Sequence, residues 1–117
     1  MEDPGHVLRK LAIGDEALLH CALADETGDL ARSVDPKTLA LVRVAALIAV
    51  DACEASYLPA VDAARAAGAT DEEVVACLFA ALRVLGVARV VSAAPKLGLA
   101  LGYDVGAALE DASALAG

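Results

Sequence analysis

The stretch DACEASYLPAVDAARAAG, Asp51 to Gly68, carries the residue of this chain best suited to do chemistry, Cys53. Three positions on stands Ser56, where a disulfide-forming site would carry a second cysteine. A thiolate is the reactive form of cysteine, and the N-terminus of a helix lowers a thiol's pKa. Attack on a peroxide leaves a sulfenic acid that normally needs a second thiol to resolve it. The Ser56 hydroxyl cannot do this. Cys53 therefore has two readings. It is a nucleophile whose cycle is closed by a small thiol or a partner protein, with Cys77 as an internal resolver, or it is a small packed residue beside a helix cap.

The elements that must position Cys53 are helical. No period-two strand pattern bounded by hairpin turns occurs, so the expected fold is all-α with about six helices. SVDPKTLALVRVAALIAV places a helix over about residues 36 to 51, with Asp35 as cap and Pro36 at the first position, where a missing amide hydrogen costs nothing. TDEEVVACLFAALRVLG starts another with a Thr70–Glu73 capping box, and Asp71 and Glu72 favour its positive end. Gly86 is its expected left-handed stop. Val74, Leu78, Ala81, Leu82 and Leu85 then share a buried face, and Cys77 belongs to the core.

Between these two lies Pro59, which costs about 3 kcal/mol in a helix interior. With Ser56 as N-cap, Pro59 falls in the first turn, Cys53 lies just before the helix and Gly68 ends it. Residues 87 to 99 form a further helix bent at Pro95, and DVGAALEDASALAG forms a short tail helix. Two more helices are expected around PGHVLRKLA and DEALLHCALAD.

Composition narrows the function classes. A length of 117 residues fits one domain. A hydrophobic fraction of 59% is high for a chain of this length, and so small a domain buries only part of the surface its unfolded chain exposes, which points to a subunit interface rather than a membrane span. Arg43, Asp51, Arg83, Arg89 and Lys96 interrupt every long apolar run, and the N-terminus does not read as a signal peptide. A cytoplasmic location is expected, with no membrane partner. The net charge of −8, without a basic cluster, argues against nucleic acid as a partner. Three cysteines, Cys21, Cys53 and Cys77, are an odd number, which argues against a structural disulfide framework.

The ordered combination VDPKTLALVRVAAL, ACEAS and AARAAGATDEEVVACLFAALRVLGVA resembles the carboxymuconolactone decarboxylase family and its alkylhydroperoxidase AhpD-like relatives. The resemblance covers about residues 33 to 104, leaving 1–32 as an N-terminal helical extension and 105–117 as a tail helix. It implies an AhpD-like fold around a helical hairpin, assembled as a homo-oligomer, a trimer or hexamer. The redox members carry Glu, Cys-x-x-Cys and a following His, and imply peroxidase-type (peroxiredoxin) thiol chemistry. Cys53 matches the first cysteine. Ser56 stands at the second, Ala60 at the histidine, and Leu41 or Ala40 at the glutamate. The decarboxylase members resemble the others in having the histidine, which is also missing here.

Two alternatives to a single-cysteine peroxidase follow. Cofactor-free decarboxylation of an acidic ring-derived metabolite needs a cation for the carboxylate and a proton donor. Arg43 is the expected anchor and Tyr57 or Cys53 the donor, with Arg83 and Arg89 as weaker anchors; each arginine equally suits a structural or inter-subunit ion pair. The other alternative is a non-catalytic oligomer that binds a ligand or partner. His6 and His20 lack metal-ligand spacing, so no metal and no cofactor is implied. His20 and Cys21 are neighbours in sequence but point about 100° apart on a helix. Asp62 and Arg65, three apart, are expected to form an exposed pair.

Overall fold

Helices account for all the regular structure among the described residues, 3–24 and 33–103, of this computed structural model. They are α1 Pro4–Ala12, α2 Glu16–Ala24, α3 Pro36–Ala49, α4 Glu54–Ala66, α5 Asp71–Leu85 and α6 Val87–Leu101. The expected all-α class is observed. The expected tail helix lies outside the described residues. None of the described helices is long and apolar enough to cross a membrane.

The chain divides into two units, residues 1–35 and 36–117. In the first, Asp3 caps α1 through its carboxylate on the His6 amide (3.2 Å), and Asp15 performs the same task on Leu18 ahead of α2 (3.0 Å). Neither helix buries a residue.

The second unit holds the core. Ala40, Val44 and Ile48 recur at i, i+4 and i+8 on α3, and Tyr57, Val61 and Ala64 form the matching stripe on α4. Val74, Leu78 and Ala81 of α5 meet Ala93, Leu97 and Leu101 of α6 in the same cluster. Such spacing places side chains on one helix face. Helix α3 packs mainly against α4 and α5, and α6 mainly against the same two, so the remaining pairs are diagonal neighbours.

Several sequence expectations are corrected. α4 begins three residues earlier than Ser56 would allow: Cys53 is its N-cap, and the Ser56 amide already donates to the Cys53 carbonyl (3.0 Å). Pro59 is consequently an interior residue, and the Ala55 carbonyl loses the amide partner that any other residue at 59 would supply. Burial of Tyr57, Val61 and Ala64 outweighs that loss. Gly86 has φ 87° and ψ 170°, a glycine-only extended conformation rather than the left-handed helical one, and it joins α5 directly to α6. Leu82 and Leu85 are half-buried rather than core. α6 continues through Pro95 to Leu101. The capping box is as expected, with the Glu73 amide on the Thr70 hydroxyl (3.1 Å) and the Thr70 amide on the Glu73 carboxylate (3.0 Å).

Four helices end in the same two-bond closure. The amide of a residue with positive φ donates to the carbonyl three back, and the next amide donates to the carbonyl five positions behind it. The pivots are Gly14, Asp51, Gly68 and Gly102. Three are glycine, the residue for which positive φ costs nothing. Asp51, with φ 52°, is the exception.

Candidate functional site

Cys53 sits where α3 has closed and α4 opens. Asp51 donates its amide to Ile48 and Ala52 its amide to Leu47, which stops α3 and turns the chain so that Cys53 adopts extended geometry (φ −70°, ψ 159°) at the start of α4. The Cys53 side chain is exposed. Its Sγ lies 3.5 Å from the Ser56 hydroxyl, one helical turn on. That hydroxyl is the first cause of a lowered Cys53 pKa, followed by the backbone amides of Ser56 and Ala55 at the open helix end; desolvation opposes them. The first amides of a helix have no intrahelical partner and favour negative charge. When Cys53 is a thiolate, the Ser56 hydroxyl donates to it.

The other two cysteines differ. Cys77 is buried in the core, its thiol directed at the carbonyls of Leu41 and Glu73 (3.6 Å each), and burial pushes its pKa up. It offers no exposed thiol to resolve a sulfenic acid. Cys21 is exposed on α2. Leu41 and Ala60, which stand where the resemblance puts a glutamate and a histidine, are partly buried against the core.

Behind Cys53 lies a polar cluster that the sequence reading did not assemble. Asp51 Oδ1 accepts from the Ser92 hydroxyl (2.9 Å) and from Lys96 Nζ (3.2 Å), and Arg89 Nη1 approaches Oδ2 at 3.7 Å. Lys96 Nζ also donates to the Ala52 carbonyl (3.0 Å). The Ser92 hydroxyl first, then Lys96, hold the Asp51 carboxyl below the usual range. Arg89, Ser92 and Lys96 fall at i, i+3 and i+7, one face of α6, which was a legible signal.

Tyr57 is fully buried, and its hydroxyl has no hydrogen-bond partner among the described residues. Burial, then the negative charge of Asp51, raises its pKa. Arg43 is exposed on α3. Three grooves among the described residues of this unit are lined by other residues. One of about 310 Å³ is formed by Leu78, Ala94, Leu97 and Leu101, and another of about 410 Å³ by Val42, Ala45, Ala80 and Val84. The third lies by Val75, Ala76, Phe79 and Tyr103. The structure therefore unites Cys53 and Ser56, while Arg43 and Tyr57, one exposed and the other fully buried, line none of these three grooves. Arg83 is likewise exposed.

Arg65 does not take Asp62 as its partner. Its guanidinium grips Asp71 with Nε on Oδ1 (3.0 Å) and Nη2 on Oδ2 (3.1 Å), and also donates to the Leu101 carbonyl (2.8 Å). A planar fork matches a carboxylate in this two-point way, so the arginine ties α4 to the start of α5 and the end of α6. No group of three or more His, Cys, Asp or Glu side chains among the described residues is arranged to hold a metal ion.

Compared with known proteins, the chain matches no family model, no curated protein and no solved structure.

Proposed function

We propose that this chain is an AhpD-like, single-cysteine thiol peroxidase that works as a homo-oligomer in the cytoplasm. The observation that carries the reading is the Cys53 site: an exposed Sγ at the open end of α4, 3.5 Å from a hydroxyl that can donate to the thiolate. Resemblance of residues 33–104 to the family supports it. The oligomer is supported by apolar side chains left in solvent on α5 and α6, where Phe79, Val84, Val87 and Val91 are each at least 65% exposed.

In the reaction, the Cys53 thiolate attacks the terminal oxygen of a hydroperoxide. The S–O bond forms, the O–O bond breaks, and the departing alkoxide or hydroxide takes a proton from water. Cys53 is oxidised to the sulfenic acid and the peroxide is reduced. A low-molecular-mass thiol then attacks the sulfenic sulfur and expels water, leaving a mixed disulfide. A second thiol attacks the low-molecular-mass sulfur of that disulfide, which regenerates Cys53 and releases the oxidised reductant. Ser56 in place of a second cysteine makes the external thiol obligatory.

The test is thiol-dependent consumption of hydrogen peroxide and an organic hydroperoxide, with a sulfenic-acid trap located by peptide mass spectrometry. The expected result is turnover that Cys53→Ser abolishes and Cys77→Ser does not, with the trap on Cys53. Turnover retained in Cys53→Ser, or no peroxide-dependent adduct on Cys53, overturns the reading.

A further inference from the structure

A left-handed backbone position costs little for glycine and more for any residue with a Cβ, although aspartate tolerates it better than most. Three of the four helix closures use glycine, and the one that precedes Cys53 uses Asp51. The aspartate side chain is not idle there. It is bound by Ser92 and Lys96, with Arg89 alongside, and Lys96 adds a second bond to the Ala52 carbonyl, so both residues preceding Cys53 are held to α6. Strained backbone that surrounding contacts hold in place is a feature of functional sites.

We propose that Asp51 is a positioning residue for Cys53. Locked in the left-handed conformation and clamped to α6 through Ser92 and Lys96, it fixes the start of α4 so that Sγ stays against the Ser56 hydroxyl and the open first turn. The inference rests on the thiol reading of Cys53 and adds the device that holds the thiol. Apart from the 3.5 Å contact with the Ser56 hydroxyl, the Cys53 side chain makes no capping bond, and Pro59 weakens the first turns of α4.

The sign of one substitution separates positioning from simple electrostatics. The charged and titratable groups around the start of α4 are Asp51 in the loop, Glu54 on α4 itself, Tyr57 one turn on, and Arg89 and Lys96 on α6. Asp51 carries negative charge, so its removal by charge alone would favour the thiolate and speed alkylation. Removal of a positioning residue slows it. Asp51→Gly suits the test because it relaxes the backbone at φ 52° while deleting the carboxylate.

The experiment measures the pH profile of Cys53 alkylation in the wild type, Asp51→Gly and Asp51→Asn, with thermal unfolding to show that each folds. Loss of a helix-terminal interaction corresponds to about a two- to fivefold change in thiolate fraction. Asp51→Gly is therefore expected to react about two- to fivefold more slowly at pH 7 and to titrate higher. Asp51→Asn keeps an acceptor for Ser92 and Lys96 and tolerates the backbone, so it retains most of the wild-type rate. A lowered wild-type titration with Asp51→Gly unchanged or faster overturns the inference alone. An ordinary wild-type titration of Cys53 overturns the thiol reading and the inference with it. If Asp51→Gly fails to fold, Ser92→Ala, which loosens the clamp without changing a charge, carries the same expectation, and an unchanged Cys53 rate in it overturns the inference.

Discussion

Tyr57→Phe is expected to stabilise the protein, the reverse of the usual result for removing a tyrosine hydroxyl. The ring is fully buried in the core cluster, and the hydroxyl has no partner among the described residues. A buried polar group without a partner costs about 1–3 kcal/mol, whereas a satisfied hydrogen bond contributes about 1 kcal/mol. Phenylalanine keeps the ring packing and removes only the unpaired oxygen. The expected gain is about 1 kcal/mol or more, and 1 kcal/mol moves the Tm of a domain of 60–100 residues by about 4–8 °C. Thermal and urea unfolding at matched protein concentration measure it. Destabilisation by about 1 kcal/mol would refute the reasoning, because it would mean that the hydroxyl is satisfied. The same variant separates chemistries. The thiol account predicts unchanged Cys53 reactivity, while a proton-donor role for Tyr57 requires loss of activity.

Gly86→Ala is expected to cost about 1–3 kcal/mol in urea unfolding, the range for a side chain forced into sparsely populated backbone geometry. A Cβ there would meet no atom within 4 Å, so the cost is conformational, and an unchanged midpoint would contradict the assigned φ of 87°. Stability should fall on acidification. Asp51, Asp71 and Glu73 have folded pKa values below their ordinary ones, through Ser92 and Lys96, through Arg65, and through the Thr70 amide and Lys37 respectively. Groups depressed in this way contribute stability above their unfolded pKa of about 4 and lose it as pH falls through the folded value. Urea midpoints that stay flat from pH 6 to about 3 would contradict the assigned partners. Val84→Lys places a charge at a side chain 83% exposed on α5, and it is expected to shift the assembly to smaller species in light scattering while leaving the helix content intact. An unchanged mass would remove Val84 from the interface.

Local chemistry made much of the fold legible. The Thr70–Glu73 box and Pro36 marked two helix starts because capping involves residues three or four positions apart. The start of α4 was misread for a physical reason. Ser56 is the better cap and Pro59 belongs in a first turn, yet long-range burial of Tyr57, Val61 and Ala64 and the anchoring of residues 51 and 52 begin the helix at Cys53. Local propensity lost to tertiary contact. Arg65 took Asp71 rather than Asp62 for a similar reason, since the turn at Gly68 brings the next helix start back to it. Cys53 was singled out by its residue type, its place just before a helix start and its match to the first cysteine of the family pattern. The Asp51 cluster was not assembled, because its partners Ser92 and Lys96 are 41 and 45 residues away.

The central claim is that Cys53 is a poised thiolate. Alkylation of the intact protein across a pH series, with each cysteine assigned by mass spectrometry, tests it most directly. The account predicts that Cys53 reacts fastest at pH 7, with an apparent pKa below the value of about 8.5 for a free cysteine, and that buried Cys77 reacts slowest. A Cys53 that reacts no faster than Cys21, or that titrates at or above the free-cysteine value, would contradict it.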